Sequence, residues 1–239
     1  QSTFLRGAGS SVYLAGSLDN TGDTLAQVGT IDFIGGSVTG GVSDVDFNAT
    51  SNSAEFADGV TLNADLNLTG SSDNFEIRNG LTLNGTAHLA GNNATLSFAG
   101  TQTLGASNGQ TANVDMTPYN AQLSVLDGGT LTLDSSVVVS GEGYLTGYGA
   151  GNTLLNEGLI HADHSSSYIR ITSETFTNTG TLRASNNGAL SLANDWDNNG
   201  TIELDAGRLY LYGDRATANI HQSTFLRGAG SSVYLAGSL

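Results

Sequence analysis

Few residues in this chain have the types and spacing that chemistry requires. Gly105-Ala106-Ser107-Asn108-Gly109 matches G-x-S-x-G, the spacing that sets a nucleophilic serine on a sharp strand-to-helix turn. No helical periodicity follows it, and in a chain with 33 Gly the match is cheap, so it reads as accidental. His161-Ala162-Asp163-His164 is the most ligand-like cluster, because strand alternation puts His161 and Asp163 on one face. A metal centre needs three or four convergent ligands, and His164 points elsewhere on a straight strand, so a solvated face is the expectation. Asp44-Val45-Asp46 and Asp195-Trp196-Asp197 offer oxygens of the kind that bind Ca²⁺. Neither lies in a glycine-rich nonapeptide array and neither recurs periodically, so both read as solvated carboxylates. No residue is therefore assigned a catalytic, cofactor-binding or metal-binding role, and no cofactor is expected.

Two further sets of side chains leave alternatives open. Tyr13, Tyr144, Tyr148, Tyr210 and Tyr212 fall at outward positions. They could stack on sugar rings, pack along the surface or form lateral contacts between filaments. N-x-S/T sequons stand at Asn48, Asn67, Asn84, Asn93 and Asn199, a number that abundant Asn and Thr produce by chance.

Composition narrows the partners. The formal charge is −15, from 22 acidic residues against seven basic ones, all Arg. Neutralising phosphates requires a basic face, so nucleic acid and anionic membrane surfaces are not expected partners. With no Cys there is neither a disulfide framework nor a thiolate metal site. No apolar run approaches the roughly 20 residues of a membrane helix, so no membrane insertion is expected of this segment.

What must position these residues is a repeat. Residues 1–18 read QSTFLRGAGSSVYLAGSL, and residues 222–239 read the same eighteen letters, an offset of 222 − 1 = 221. Residues 1–221 are thus expected to be one long tandem unit and residues 222–239 the start of the next, in a single continuous solenoid. A shorter period lies inside the unit, carried by apolar-x-Asn-x-Gly followed by Ile or Leu. It occurs at Leu154–Gly158, Phe176–Gly180 and Trp196–Gly200, and with one extra residue at Leu18–Gly22. The copy of Gly22 in the following unit would fall at 22 + 221 = 243, two more steps of the same size beyond Gly200. Thr61-Leu62, Thr82-Leu83, Thr103-Leu104 and Ser124-Val125 repeat at 21.

Registering the coils on the N-x-G glycine puts Ile160, Leu182 and Ile202 inward, followed by Ala162, Ala184 and Leu204. His161, Arg183 and Glu203 then share one outward column, so Arg183 and Glu203 should pair. A second strand turns Ile169, Ile171, Leu190, Leu192, Leu209, Leu211, Val233 and Leu235 inward and Arg170, Ser191, Tyr210 and Tyr234 outward. The fold expected is all-β, a right-handed parallel β-helix (β-solenoid) of about ten coils of 21–22 residues. The corner Asn admits two roles, a side-chain ladder along the stack or a left-handed corner conformation.

The N-E-G-L-I, N-T-G-T-L and N-N-G-T-I phrases, with high Gly, Asn, Thr and Ser and no Cys, resemble the β-helical stalks of bacterial filamentous-haemagglutinin-like and autotransporter-type surface adhesins. The resemblance is clear over residues 150–239 and looser before. It implies a right-handed parallel β-helix at the bacterial cell surface, with a role in adhesion or biofilm. The expectation for function is a non-catalytic structural or extension segment of a large repetitive secreted or cell-surface adhesin. Its partners would be neighbouring repeat units of the same chain, other filaments or cell-surface glycans. The alternative is a polysaccharide-binding or polysaccharide-degrading pectin-lyase-like β-helix. An enzyme of that class needs a carboxylate cluster and an Arg or Lys base in one cleft, and here the Arg are scattered.

Overall fold

A computed structural model describes residues 10–26, 29–50, 54–213 and 224–236. Short strands joined by tight turns run through all of it, and no helix occurs among the described residues. Three parallel sheets of 11, 11 and 9 strands result among the described residues, each strand up to Arg208–Tyr212 pairing with the one three elements before it and the last two strands pairing with Thr201–Asp205 and Arg208–Tyr212. Val12–Leu14 opens the first sheet, Ser17–Asp19 the second and Thr24–Leu25 the third; Ile31–Phe33 then returns to the first. The molecule is a three-faced parallel β-solenoid of about ten coils.

Alternation explains why these residues form strands. Thr181–Ser185 and Thr201–Asp205 bury every second side chain, and the buried ones are Leu182, Ala184, Ile202 and Leu204. Ile160, Ile169, Ile171, Leu190 and Leu209 are wholly enclosed, as the periodicity predicts. Val233 and Leu235 pair with Leu209 and Leu211 as expected, yet Leu235 remains 52% exposed in this final coil. At the other end of the stack Phe33, Phe47, Phe56 and Phe75 form a core cluster with ring centroids 4.7–6.0 Å apart. Phe33 and Phe47 are tilted at 40° and the other pairs meet edge to face, an arrangement that adds about 0.5–1.5 kcal/mol per pair beyond the area buried.

Coil length is less regular than the uniform step expected. Asp32 pairs with Asn48 after one short coil, whereas the chain from Thr103 to its partner Thr132 is nearly twice as long. Turns absorb the difference, because only the strands must stay in register. The series of Thr-Leu pairs at 21 is accordingly corrected. Thr61 does pair with Thr82, but Thr82 pairs with Gly105, and Ser124-Val125 lies in the second sheet rather than the third.

The N-x-G corner is resolved in favour of the ladder. Asn156 Nδ2 donates to Asn178 Oδ1 at 2.6 Å, and Asn178 Nδ2 donates to Asn198 Oδ1 at 2.6 Å, all three side chains being buried. None of the three has a positive φ; Asn186, Asn187 and Asn194 elsewhere in the chain do, at 53°, 61° and 59°. The corner glycine is there for close approach. A Cβ on Gly180 would stand 2.2 Å from Gly158 O, and one on Gly200 would stand 2.1 Å from Gly180 O. Successive corners thus lie so close that any larger residue separates the coils.

Candidate functional site

The outer surfaces are columns, because in-register parallel strands set equivalent residues one strand spacing apart along the axis. On the first sheet the column runs Tyr13, Asp32, Asn48, Asn67, His88, Asp115, Ser140, His161, Arg183, Glu203, Leu226. Neighbours in it satisfy one another. Asn48 Nδ2 donates to Asp32 Oδ1 at 2.7 Å and Asn67 Nδ2 to Asn48 Oδ1 at 3.2 Å. His88 sits between Asp65 at 3.8 Å and Asp115 at 3.7 Å.

Arg183 and Glu203 pair in register as the column predicts, Nε to Oε2 at 3.7 Å, with each side chain 37% exposed. An ion pair this open to solvent contributes at most about 1 kcal/mol. Arg183→Ala should therefore shift the melting temperature only slightly, which thermal unfolding followed by circular dichroism measures.

The structure disperses the ligand-like cluster. His161 Nε2 meets Ser185 Oγ at 2.8 Å, Asp163 Oδ1 accepts from the Gly141 amide at 3.1 Å, and His164 Nδ1 lies 3.7 Å from Glu142. Burial holds the His161 imidazole below its ordinary pKa; Asp163 and Glu203 oppose that shift and Arg183 adds to it. Asp44 accepts from Asn63 Nδ2 at 2.7 Å, Asp46 from the Asp65 amide at 3.0 Å, and Asp197 from Asn199 Nδ2 at 2.7 Å. These carboxylates brace the coil they sit on or its neighbour. Among the described residues, no three His, Cys, Asp or Glu converge as a metal site. Ser107 lies on a turn after the strand Gln102–Gly105, where its amide and hydroxyl meet the Asn84 side chain. Four of the sequon asparagines, Asn48, Asn67, Asn84 and Asn199, also use their amide nitrogen in hydrogen bonds.

Two surface groupings escaped the sequence reading. Arg78 contacts both Glu76 and Glu55, the latter at 3.5 Å, on the outer face of the second sheet. Sequence spacing could have found it, since Glu76 follows Glu55 by the same step as Thr82 follows Thr61, and both pairs stack. The second is a strip in which Tyr168 and Arg208 join Tyr144, Arg170, Tyr210 and Tyr234, residues the periodicity already turns outward. The Arg170 guanidinium lies 4.6 Å from the Tyr168 ring centre and 5.5 Å from that of Tyr144, and Arg208 lies 5.6 Å from Tyr168. Tyr210 and Tyr234 stack at 4.5 Å with 6° between their planes. Tyr210 and Tyr234 turn ring faces to each other across adjacent coils, and Tyr168 is flanked by Arg170 of its own strand and by Arg208 and Tyr210 two coils on. These rings therefore pack along the axis, while Tyr234 stays 45% exposed.

Comparison with family models, with curated proteins and with solved structures finds no match to this chain.

Proposed function

We propose that the chain is a non-catalytic extension element, one unit of a repetitive stalk that carries an adhesive region away from a bacterial cell surface. One observation supports this above the others. The second copy of the eighteen-residue segment continues the solenoid, Thr224–Arg227 pairing with Thr201–Leu204 and Ser232–Ala236 with Arg208–Tyr212. Units joined in this way form one uninterrupted stack, with reach as the property that scales with copy number. The polar groups of the outer columns support the same reading, since their hydrogen bonds run from coil to coil.

Removing whole units from the native protein, each deletion matching residues 1–221 in length, keeps the coil register. Attachment of cells to a surface should then hold until the shortened stalk no longer reaches, and fall only beyond that length. A loss in proportion to unit number from the first deletion, at constant reach, would contradict an extension role and favour binding or catalysis along the side.

A further inference from the structure

Identical residues occupy different faces at the two ends of this chain. Near the start, Val12–Leu14 lies in the first sheet, with Tyr13 paired to Asp32. Its copy Val233–Leu235 lies in the second sheet, with Tyr234 paired to Tyr210. The pairing along the first sheet agrees. Ten steps lead from Tyr13 to Leu226, which is the copy of Leu5, since 226 − 221 = 5, rather than of Tyr13. The stretch from Leu226 to Tyr234 completes the period and carries the chain one strand further, onto the next face.

We infer that consecutive units join with a rotation, each unit being set about a third of a turn around the solenoid axis from the one before, in addition to the twist of the coils. This rests on the extension reading. No pairing inside a unit has to change, because each strand still pairs with the strand of its own sheet in the coil before and in the coil after; only the face on which a given column continues is exchanged. The first-sheet column of one unit passes through Leu226 to the strand that follows three elements later, the copy of Thr24–Leu25. Ser17–Asp19 and Asn20, on the second face here, pass in the next unit to the third face, where the Asn156, Asn178 and Asn198 ladder runs. The sequence period agrees, since the copy of Asn20 falls at 20 + 221 = 241, two ordinary coils past Asn198. Three units then present every surface feature on all three sides, giving the stalk no unique lateral face.

The occupant of the last coil's open edge is thus the next unit of the same chain. The stacked rings of Tyr210 and Tyr234 are the first contact of that junction. A chain with no Cys allows the register to be read by paired cysteines. Outward residues on adjacent parallel strands have Cα atoms about 4.8 Å apart, inside the range a disulfide spans. The host is this chain lengthened by one period, residues 1–239 followed by a second copy of residues 19–239. Mild oxidation should lock Tyr210→Cys to Tyr234→Cys and Glu203→Cys to Leu226→Cys, and should lock Tyr234→Cys to the second-unit copy of Asp32→Cys. Glu203→Cys with Tyr234→Cys should stay reduced, as mass spectrometry of the non-reduced protein will show. Locking of Glu203→Cys to Tyr234→Cys would overturn the rotation while leaving a continuous stalk. If Tyr234→Cys locked to none of these partners, both the rotation and the continuous stalk would fall. All these positions face outward, and strand content by circular dichroism verifies that each variant is folded.

Discussion

Leu209→Asp is expected to unfold the coils around it, the largest effect of any single substitution considered. Leu209 is wholly buried, paired with Leu190 in the preceding coil and Val233 in the following one. An unpaired carboxylate there has neither water nor a donor, and the cost is several kcal/mol. Because a solenoid is stabilised by nearest-neighbour contacts, the damage should spread from the last coils as fraying rather than as uniform loss. Tyr210→Asp, one residue along, puts its carboxylate into solvent and loses the ring contacts with Tyr168 and Tyr234, about 0.5–1.5 kcal/mol each, together with the long hydrogen bond its hydroxyl accepts from Tyr168. Hydrogen exchange of residues 189–212 should show Leu209→Asp unprotected and Tyr210→Asp close to the parent. Equal protection in the two would mean that the inward and outward assignments are wrong.

Asn178→Ala is expected to cost about 1–3 kcal/mol, the penalty for one buried polar group left without a partner. That group is Asn198 Oδ1, which accepts from Asn178; the Asn156 amide nitrogen, which donates to Asn178, keeps its bonds to Gly158 O and Thr181 O. Asn178→Asp separates the ladder from simple packing through its pH dependence. The carboxylate keeps the acceptor for Asn156 but cannot donate to Asn198 Oδ1, so burial beside that oxygen should raise its folded-state pKa above the unfolded value. Stability of that variant is then fully present below the ordinary carboxylate range and lost as pH rises through the raised folded-state pKa. Chemical denaturation from acid to neutral pH reads this directly. A melting temperature for Asn178→Ala equal to the parent's would show that the ladder adds nothing.

How far the sequence was legible depended on the corners. Residues 154–212 could be registered strand by strand because their N-x-G glycines forbid any larger residue at the contact and so recur visibly. Between Asp32 and Thr132 the corners use varied turns and the longest coil is nearly twice the shortest, so a fixed step of 21 pairs the wrong residues. The phenylalanine cluster was hidden for the same reason: Phe33 and Phe47 come from one sheet, Phe56 and Phe75 from another, and no single period aligns them. Tyr144, Tyr210 and Tyr234 were recognisable as outward, but the contact of Tyr144 with Arg170 was not. The coil between those two residues is lengthened by the exposed turn at Tyr148–Gly151, which takes the pair off any regular step.

Extension itself is the central claim, and the length added per unit tests it most directly. Ten coils at about 4.8 Å give roughly 50 Å for each unit, at unchanged cross-section. Electron microscopy and small-angle X-ray scattering of chains carrying one, two and three units should show rods that lengthen by that increment each time, with a constant cross-sectional radius. Particles that grow in all dimensions, or that resolve into separate globules joined by flexible links, would contradict the account.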